Sequence, residues 1–250
     1  MSLISTLLEE NTRRVIRHAI ADGSLRGAVV PLAATEQHNE HLAMNHDTSS
    51  VMWIARKAAD AVFPSVVVTP PLNIGISEHW MDHPGTLSLR PDVFVGVVYE
   101  VCDSLRRGGL RRILLLNGHG GNRLPIQEQL SSFRQRLGVE IDFCSYWEAY
   151  PREYIERHME SGECPGHAAE FETSVALALF PDAVHPSGEP YPEHELAIAE
   201  PRRAADDRRF FANAALASSG KGRVMMEEAA AWVSLRLAAL LQREPGGASQ

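Results

Sequence analysis

Residues 111–122 read RRILLLNGHGGN. The apolar core of this run, Ile113 to Leu116, shows no alternation of polar and apolar residues. A strand of that kind must be buried on both faces, which is the property of strands in parallel sheets covered by helices on either side. Gly118 bounds the predicted strand at 111–118, and glycines around His119 allow close backbone approach and positive φ. A histidine in such a turn lies beyond the carboxyl end of its strand, where open α/β sheets gather their ligands.

Outward from this stretch the same pattern repeats. GAVVPLA (27–33), SVVVTPPLNI (65–74) and VEIDFCSYW (139–147) read as strands. Residues 48–62, 92–107, 123–138 and 170–179 have helical spacing, with Asp47 or Thr48 as the first N-cap and Gly138 ending the third helix. The N-terminal segment 1–20 reads as an amphipathic helix. The alternation predicts an α/β class protein, one domain over 1–250 built on a parallel sheet covered on both faces. Residues 184–210, rich in Pro, Glu and Arg, read as a surface excursion, and 243–250 as a frayed tail.

Composition narrows the function classes. The chain has 250 residues, 44% apolar and 22% charged, and a formal charge of −8. No Lys/Arg cluster is dense enough to track phosphates, so a nucleic-acid partner is not expected. No apolar run reaches the roughly 18 residues of a membrane span, and no signal-peptide layout opens the chain. Cys102, Cys144 and Cys164 are scattered, which predicts reduced thiols and a cytoplasmic protein.

Four polar clusters fall at the C-terminal ends of the predicted strands: TEQHNEH (35–41), GISEHWMDHPGT (75–86), NGHGGN (117–122) and SYWEAY (145–150). Glu36 and His38, two apart, project to the same side of an extended segment. Asp47 stands at a helix start, where free N–H groups can hold a carboxylate that still bridges outward. With His119 these residues make an imidazole and carboxylate set suited to zinc, manganese or iron, and a shared carboxylate suits two metals. Asp47 alone could be only an N-cap, and NGHGGN alone only a turn. Glu40, His41 and His46 have no independent support and read as surroundings. In GHAAEFETS (166–174) the core stripe Phe171, Val175, Ala178, Leu179 puts Glu170 and Glu172 on opposite flanks, so one faces the site. Spacing does not say which. Ser77, Glu78, His79, Trp80, His83 and Trp147 are the candidates for substrate contact.

TEQHNEHLAMNHD, NGHGGN and GHAAEFETS, with HPGTLSL (83–89) and SYW (145–147), together resemble the creatininase (creatinine amidohydrolase) family over roughly residues 20–182. The resemblance implies a three-layer α/β/α sandwich and a homo-oligomer, commonly a hexamer. It also implies two divalent metal ions per chain, zinc or manganese and sometimes iron. By position, Glu36 and His119 would hold one ion, His38 the other, and Asp47 both. A metal-activated water would then attack a cyclic or linear amide carbon, with His167 managing protons.

Two departures matter. Creatinine-hydrolysing members carry an aromatic residue and a ligand glutamate after the NGH histidine, where this chain has Gly120 and Gly121. The resemblance points to Glu170 as the replacement carboxylate, with Glu172 as the other candidate for that ligand and for catalysis. A Trp-Asp pair before the later histidine is replaced by Glu163 and Cys164. The resulting expectation is a metal-dependent amidohydrolase acting on a cyclic amide, formamide or peptide-like bond in a small molecule other than creatinine. The rival expectations are a non-catalytic scaffold of the same fold and a mononuclear hydrolase.

Overall fold

The apolar runs become four parallel strands, β1 (Gly27–Leu32), β2 (Val66–Val68), β3 (Arg112–Asn117) and β4 (Glu140–Ser145), in the order β2-β1-β3-β4. Around them lie α1 (Arg13–Ala21), α2 (His46–Asp60), α3 (Pro91–Arg107), α4 (Arg123–Leu137), α5 (Arg152–His158), α6 (Glu170–Leu179), α7 (Pro201–Ala214) and α8 (Ser219–Gln242). The structure is a computed structural model and describes residues 2–185 and 201–243, with 201–207 as backbone only.

Side-chain alternation along the strands feeds two cores. Val29, Leu114, Leu116 and Cys144 pack under α2, α6 and α8. Ala28, Val30, Leu32, Ile113, Leu115, Ile141 and Phe143 pack under α1, α3 and α4. The expected three-layer arrangement is therefore present, because each strand is apolar on both sides. Leu32, Asn117 and Ser145 are aligned across the sheet, so the loops after β1, β3 and β4 emerge at one edge.

Several segments differ from the sequence reading. The strand predicted at 65–74 is paired only over Val66–Val68. Pro70 and Pro71 follow, and proline has no N–H for a ladder. The N-terminal helix starts only at Arg13, where the Thr12 hydroxyl accepts from Val15 N–H at 3.4 Å. Before it, Asn11 Nδ2 donates to the carbonyls of Ser5 and Leu7 at 2.9 and 2.7 Å, and Leu7 bridges to Val68. Part of the excursion predicted at 184–210 is α7, while 186–200 lies outside the described residues. The tail predicted at 243–250 also lies outside them except for Arg243, whose carbonyl accepts from the Arg112 guanidinium at 2.8 Å.

The 24-residue α8 had no counterpart in the sequence reading. It buries Met225, Met226, Ala229, Val233 and Leu237 against the sheet and α6, and its Arg236 pairs with Asp142 of β4 at 2.8 Å. All three cysteines are free thiols, Cys102 and Cys144 fully buried. No helix among the described residues is long and apolar enough to cross a membrane.

Candidate metal centre

The loop leaving β1 delivers Glu36 and His38, the first turn of α2 delivers Asp47, and the turn leaving β3 delivers His119. All four are buried, the most exposed of them at 4%. The two oxygens of Asp47 face different histidines: Oδ1 is 3.3 Å from His38 Nε2, and Oδ2 is 3.0 Å from His119 Nδ1. Glu36 Oε1 lies 3.4 Å from the same His119 nitrogen.

Backbone carbonyls decide the state of each ring. His38 Nδ1 is 3.1 Å from the carbonyl of Glu36, and His119 Nε2 is 3.0 Å from the carbonyl of Ile76. A carbonyl only accepts, so these nitrogens carry hydrogen in the neutral ring. The other nitrogen of each ring is then a lone pair aimed at carboxylate oxygens. Lone pairs facing anions at these distances repel unless a cation, proton or metal, stands between them. Accordingly, His38 Nε2, Glu36 Oε2 and Asp47 Oδ2 are buried without a hydrogen-bond partner. The donor set, two oriented imidazoles and buried carboxylates with Asp47 common to both, fits a pair of divalent cations.

The two glutamates at the start of α6 go to different neighbours. Glu170 does not reach the cluster. Its carboxylate accepts from the N–H groups of Glu160 and Ser161 at 3.1 and 2.7 Å and pairs with Lys221 of α8. Burial would raise the Glu170 carboxyl, but Lys221 and those N–H groups outweigh it and hold it below its ordinary value. Glu172, on the opposite flank of α6, points inward, with Oε2 at 3.6 Å from His38 Nε2. The potential ligand atoms of Glu36, Asp47 and His119 lie within 4.8 Å of one another, as do those of His38, Asp47 and Glu172. Glu172 Oε2 also accepts from Ala168 N–H at 2.6 Å, tying the loop that carries His167 to α6. Ala168 adopts φ 46°, a left-handed conformation costing an alanine about 1 kcal/mol.

The electrostatics agree. Burial lowers His38 and His119, but Asp47 and the neighbouring carboxylates overcome it and raise them to about 10 and about 9. Burial, helped by Asp47 and Glu36, pushes Glu172 up to about 8. Burial would raise Asp47 too, yet the two histidines hold it well below the usual range. The two histidines thus take up positive charge, Asp47 stays ionised between them, and Glu172 sheds its charge by keeping a proton, all of which reduce the net negative charge of the buried cluster.

A cavity of about 190 Å³ opens onto the cluster, lined by Glu36, Asp47, His119, Glu172 and His167 with Trp80 and Trp147 among its walls. His79 also lines it, its ring stacked at 6.1 Å from that of His119. The remaining candidates for substrate contact stand elsewhere. Ser77 is fully buried with its hydroxyl 3.3 Å from His119 Nε2, so it braces that ring and is not part of the cavity wall. Glu78 is exposed and His83 packs edge-on to Trp80 at 5.8 Å, and neither is among the residues lining the cavity.

Two contacts escaped the sequence reading. Gln37, between two predicted ligands, holds His167 at 2.8 Å. Phe210 of α7 meets the His167 ring at 5.8 Å. Its signal was an aromatic pair, Phe210 and Phe211, inside an otherwise charged stretch. Glu40 is exposed, while His41 and His46 are buried next to the cluster and belong to none of its candidate ligand groups among the described residues.

Comparison with known proteins places the chain. A family profile described as creatininase, creatinine amidohydrolase, matches residues 10–237. A creatinine amidohydrolase of Pseudomonas putida is 28% identical over 227 residues, covering 80% of this chain and 84% of that protein. A 3-dehydro-scyllo-inosose hydrolase of Thermotoga maritima is 28% identical over 63% of this chain and 51% of its own length. A mycofactocin precursor peptide peptidase of Mycobacterium ulcerans is 27% identical over 62% of this chain and 59% of its own length. A crystal structure of creatinine amidohydrolase superposes with a TM-score of 0.79 at 25% identity, covering 97% of this chain and all of that one. Creatininase structures described as a manganese form and a zinc–zinc form match at 0.78 and 0.77, each 25% identical over 96% of this chain and 100% of theirs. With the profile spanning nearly the whole length and the sheet and the loops that carry Glu36, His38 and His119 in place, this chain belongs to the creatininase family of hydrolases.

Proposed function

We propose that the chain is a two-metal amidohydrolase that cleaves a C–N amide bond of a small molecule other than creatinine. The observation that carries this reading is the pair of carbonyl-oriented imidazoles, His38 and His119, facing one shared carboxylate, Asp47. Glu36, Asp47 and His119 would hold one divalent cation, and His38, Asp47 and Glu172 the other, zinc or manganese by analogy with the solved relatives. When bound, the two cations supply Lewis acidity and an activated water. The chain itself then binds the substrate between Trp80 and Trp147 and presents His167 to the reacting group.

Two features bear on the substrate. A carboxylate at position 121 has no room on this backbone, since a Cβ there would lie 2.0 Å from the Ile76 carbonyl oxygen. Glu172, supplied by α6, occupies that function from another direction. At about 190 Å³ the cavity is smaller than those that take drug-sized ligands, which suits a small amide or formamide or one end of a longer molecule. In this reading the protein works as a homo-oligomer, as is common in its family.

Metal analysis decides the first part. The purified, metal-loaded protein should carry two equivalents, Glu172→Ala one, and Glu170→Ala two. A wild type fully active with one equivalent would overturn the two-metal centre. The second part needs a panel of formamides, cyclic amides and short peptides, in which Glu172→Ala should lose at least about a hundredfold in kcat/KM. Hydrolysis of an activated ester with no amide turned over would sink the amidase reading.

A further inference from the structure

Of the three histidines that face the buried carboxylates, His38, His119 and His167, two have a carbonyl behind them. His167 has an amide. Its Nε2 lies 2.8 Å from Gln37 Nε2. The orientation of that amide is set by Gln37's other end, where Oε1 accepts from the backbone N–H of Asn39 at 2.8 Å. A backbone N–H only donates, so the atom it meets is the oxygen, and the NH₂ group must face His167. The same turn fixes Gln37 in place. Its N–H donates to Thr86 Oγ1 at 3.1 Å, its side chain is buried, and Asn39 takes φ 55° to close the loop.

We propose that Gln37 is a positioning residue that holds His167 in the Nδ1–H tautomer, so that His167 stays out of the metal set and serves as a neutral hydrogen-bond donor to the reacting carbonyl. The logic is the reverse of that at His38 and His119. A donor behind the ring makes Nε2 the acceptor, leaving the hydrogen on Nδ1, the nitrogen on the side of Glu36 at 3.7 Å. Without Gln37 the ring could turn a lone pair inward, because Glu36, His38 and His167 already bring potential ligand atoms within 4.8 Å of one another. The ring plane is fixed independently. Trp80 stacks on it at 4.4 Å and 22°, and the His38 ring lies 4.7 Å away on a 40° tilt. A preorganised neutral donor aimed at developing negative charge is worth more in such a dry site than in water.

The role of His167 toward the reacting carbonyl rests on the amidohydrolase reading; the tautomer does not, and the test separates the two. Histidine ¹⁵N NMR of the zinc-loaded protein reads the tautomer directly, with His167→Asn identifying the resonances. The wild type should show Nδ1 protonated and Nε2 bare. In Gln37→Glu the carboxylate accepts, so the pattern should invert to Nε2–H. In Gln37→Met, a neutral side chain of similar length, the preference should be lost. Both variants should keep wild-type zinc content and lose about 10²- to 10³-fold in kcat with little change in KM. A wild-type ring protonated at Nε2, or a Glu variant that keeps both the wild-type ¹⁵N pattern and kcat, would overturn the proposal. If no amide is hydrolysed, the NMR outcome still decides the tautomer while the functional reading fails alone.

Discussion

His41 and His46 show how much depends on what stands behind a ring. His41 Nε2 meets the Thr173 hydroxyl at 2.8 Å, and His46 Nε2 meets Ser50 Oγ at 3.3 Å. Neither faces a carboxylate as His38 and His119 do. Burial, and then the neighbouring positive His38, pushes them down to about 4 and about 3. Both are therefore neutral in the folded chain down to acid pH, while in the unfolded chain each protonates near 6.5. As pH falls through that value the unfolded state takes up protons that the folded state refuses. Their effect is absent above about 6.5 and becomes a growing loss of stability toward pH 4. For His41 this is about 2 kcal/mol between pH 7 and pH 5. His41→Gln, which can still meet Thr173, should flatten the fall by roughly that amount in urea unfolding at the two pH values. Equal slopes for the two proteins would refute the assignment. The crowd of histidines was legible in the sequence. Which nitrogen each one leaves bare was not, because the answer comes from the carbonyl of Ile76, the hydroxyl of Thr173 and the amide of Gln37, all set by tertiary folding.

At the scale of elements, α6 divides its two glutamates between two neighbours. Glu170 goes to α8 and Glu172 to the centre, so the crossing of α6 and α8 sets the position of a proposed ligand. The crossing is close. A Cβ on Gly222 would lie 2.0 Å from the Ser174 carbonyl oxygen, and the Ser218 N–H donates to Ser174 Oγ at 3.1 Å. Gly222→Ala should gain up to about 1 kcal/mol in helix propensity, yet it forces α8 away from α6. Overpacking of this kind costs on the order of 1–3 kcal/mol, so the net change is a destabilisation. Moving α6 should also weaken zinc binding at the Glu172 side, leaving closer to one equivalent under competition with a chelator. Unchanged stability together with two tightly held ions would show that α6 is placed without α8. The sequence could place Glu170 and Glu172 on opposite flanks but not choose between them, since the choice is made by Lys221 in a helix whose apolar residues do not form one stripe. Val224 and Leu235 of α8 are exposed while Met225, Met226 and Val233 are buried.

Across the whole molecule the fold was legible because the strand signal is strong: runs such as Ile113 to Leu116, apolar on both faces, leave few alternatives to a covered parallel sheet. That fold already implied one edge for the polar loops. The parts the sequence did not yield, α8 and Phe210 of α7, come from the C-terminal quarter of the chain and reach the centre only through packing. The proposed ligands consequently come from the loop after β1, from α2, from the turn after β3 and from α6, and the unfolded chain cannot hold them together. Any cation bound there must stabilise the whole fold. At a hundredfold excess over Kd the gain is about 2.7 kcal/mol, a rise of roughly 5–10 °C in Tm for a chain of this size. The gain should depend on pH with a definite sign. In the metal-free protein the carboxylates raise His38 to about 10 and His119 to about 9, and burial raises Glu172 to about 8. Binding must expel those protons, so zinc affinity should rise steadily from pH 6 to pH 8. Calorimetry in two buffers of different ionisation heat should register the protons released. Stoichiometric binding with no shift in Tm and no proton release would place the cation on surface groups, away from Asp47 and its two histidines.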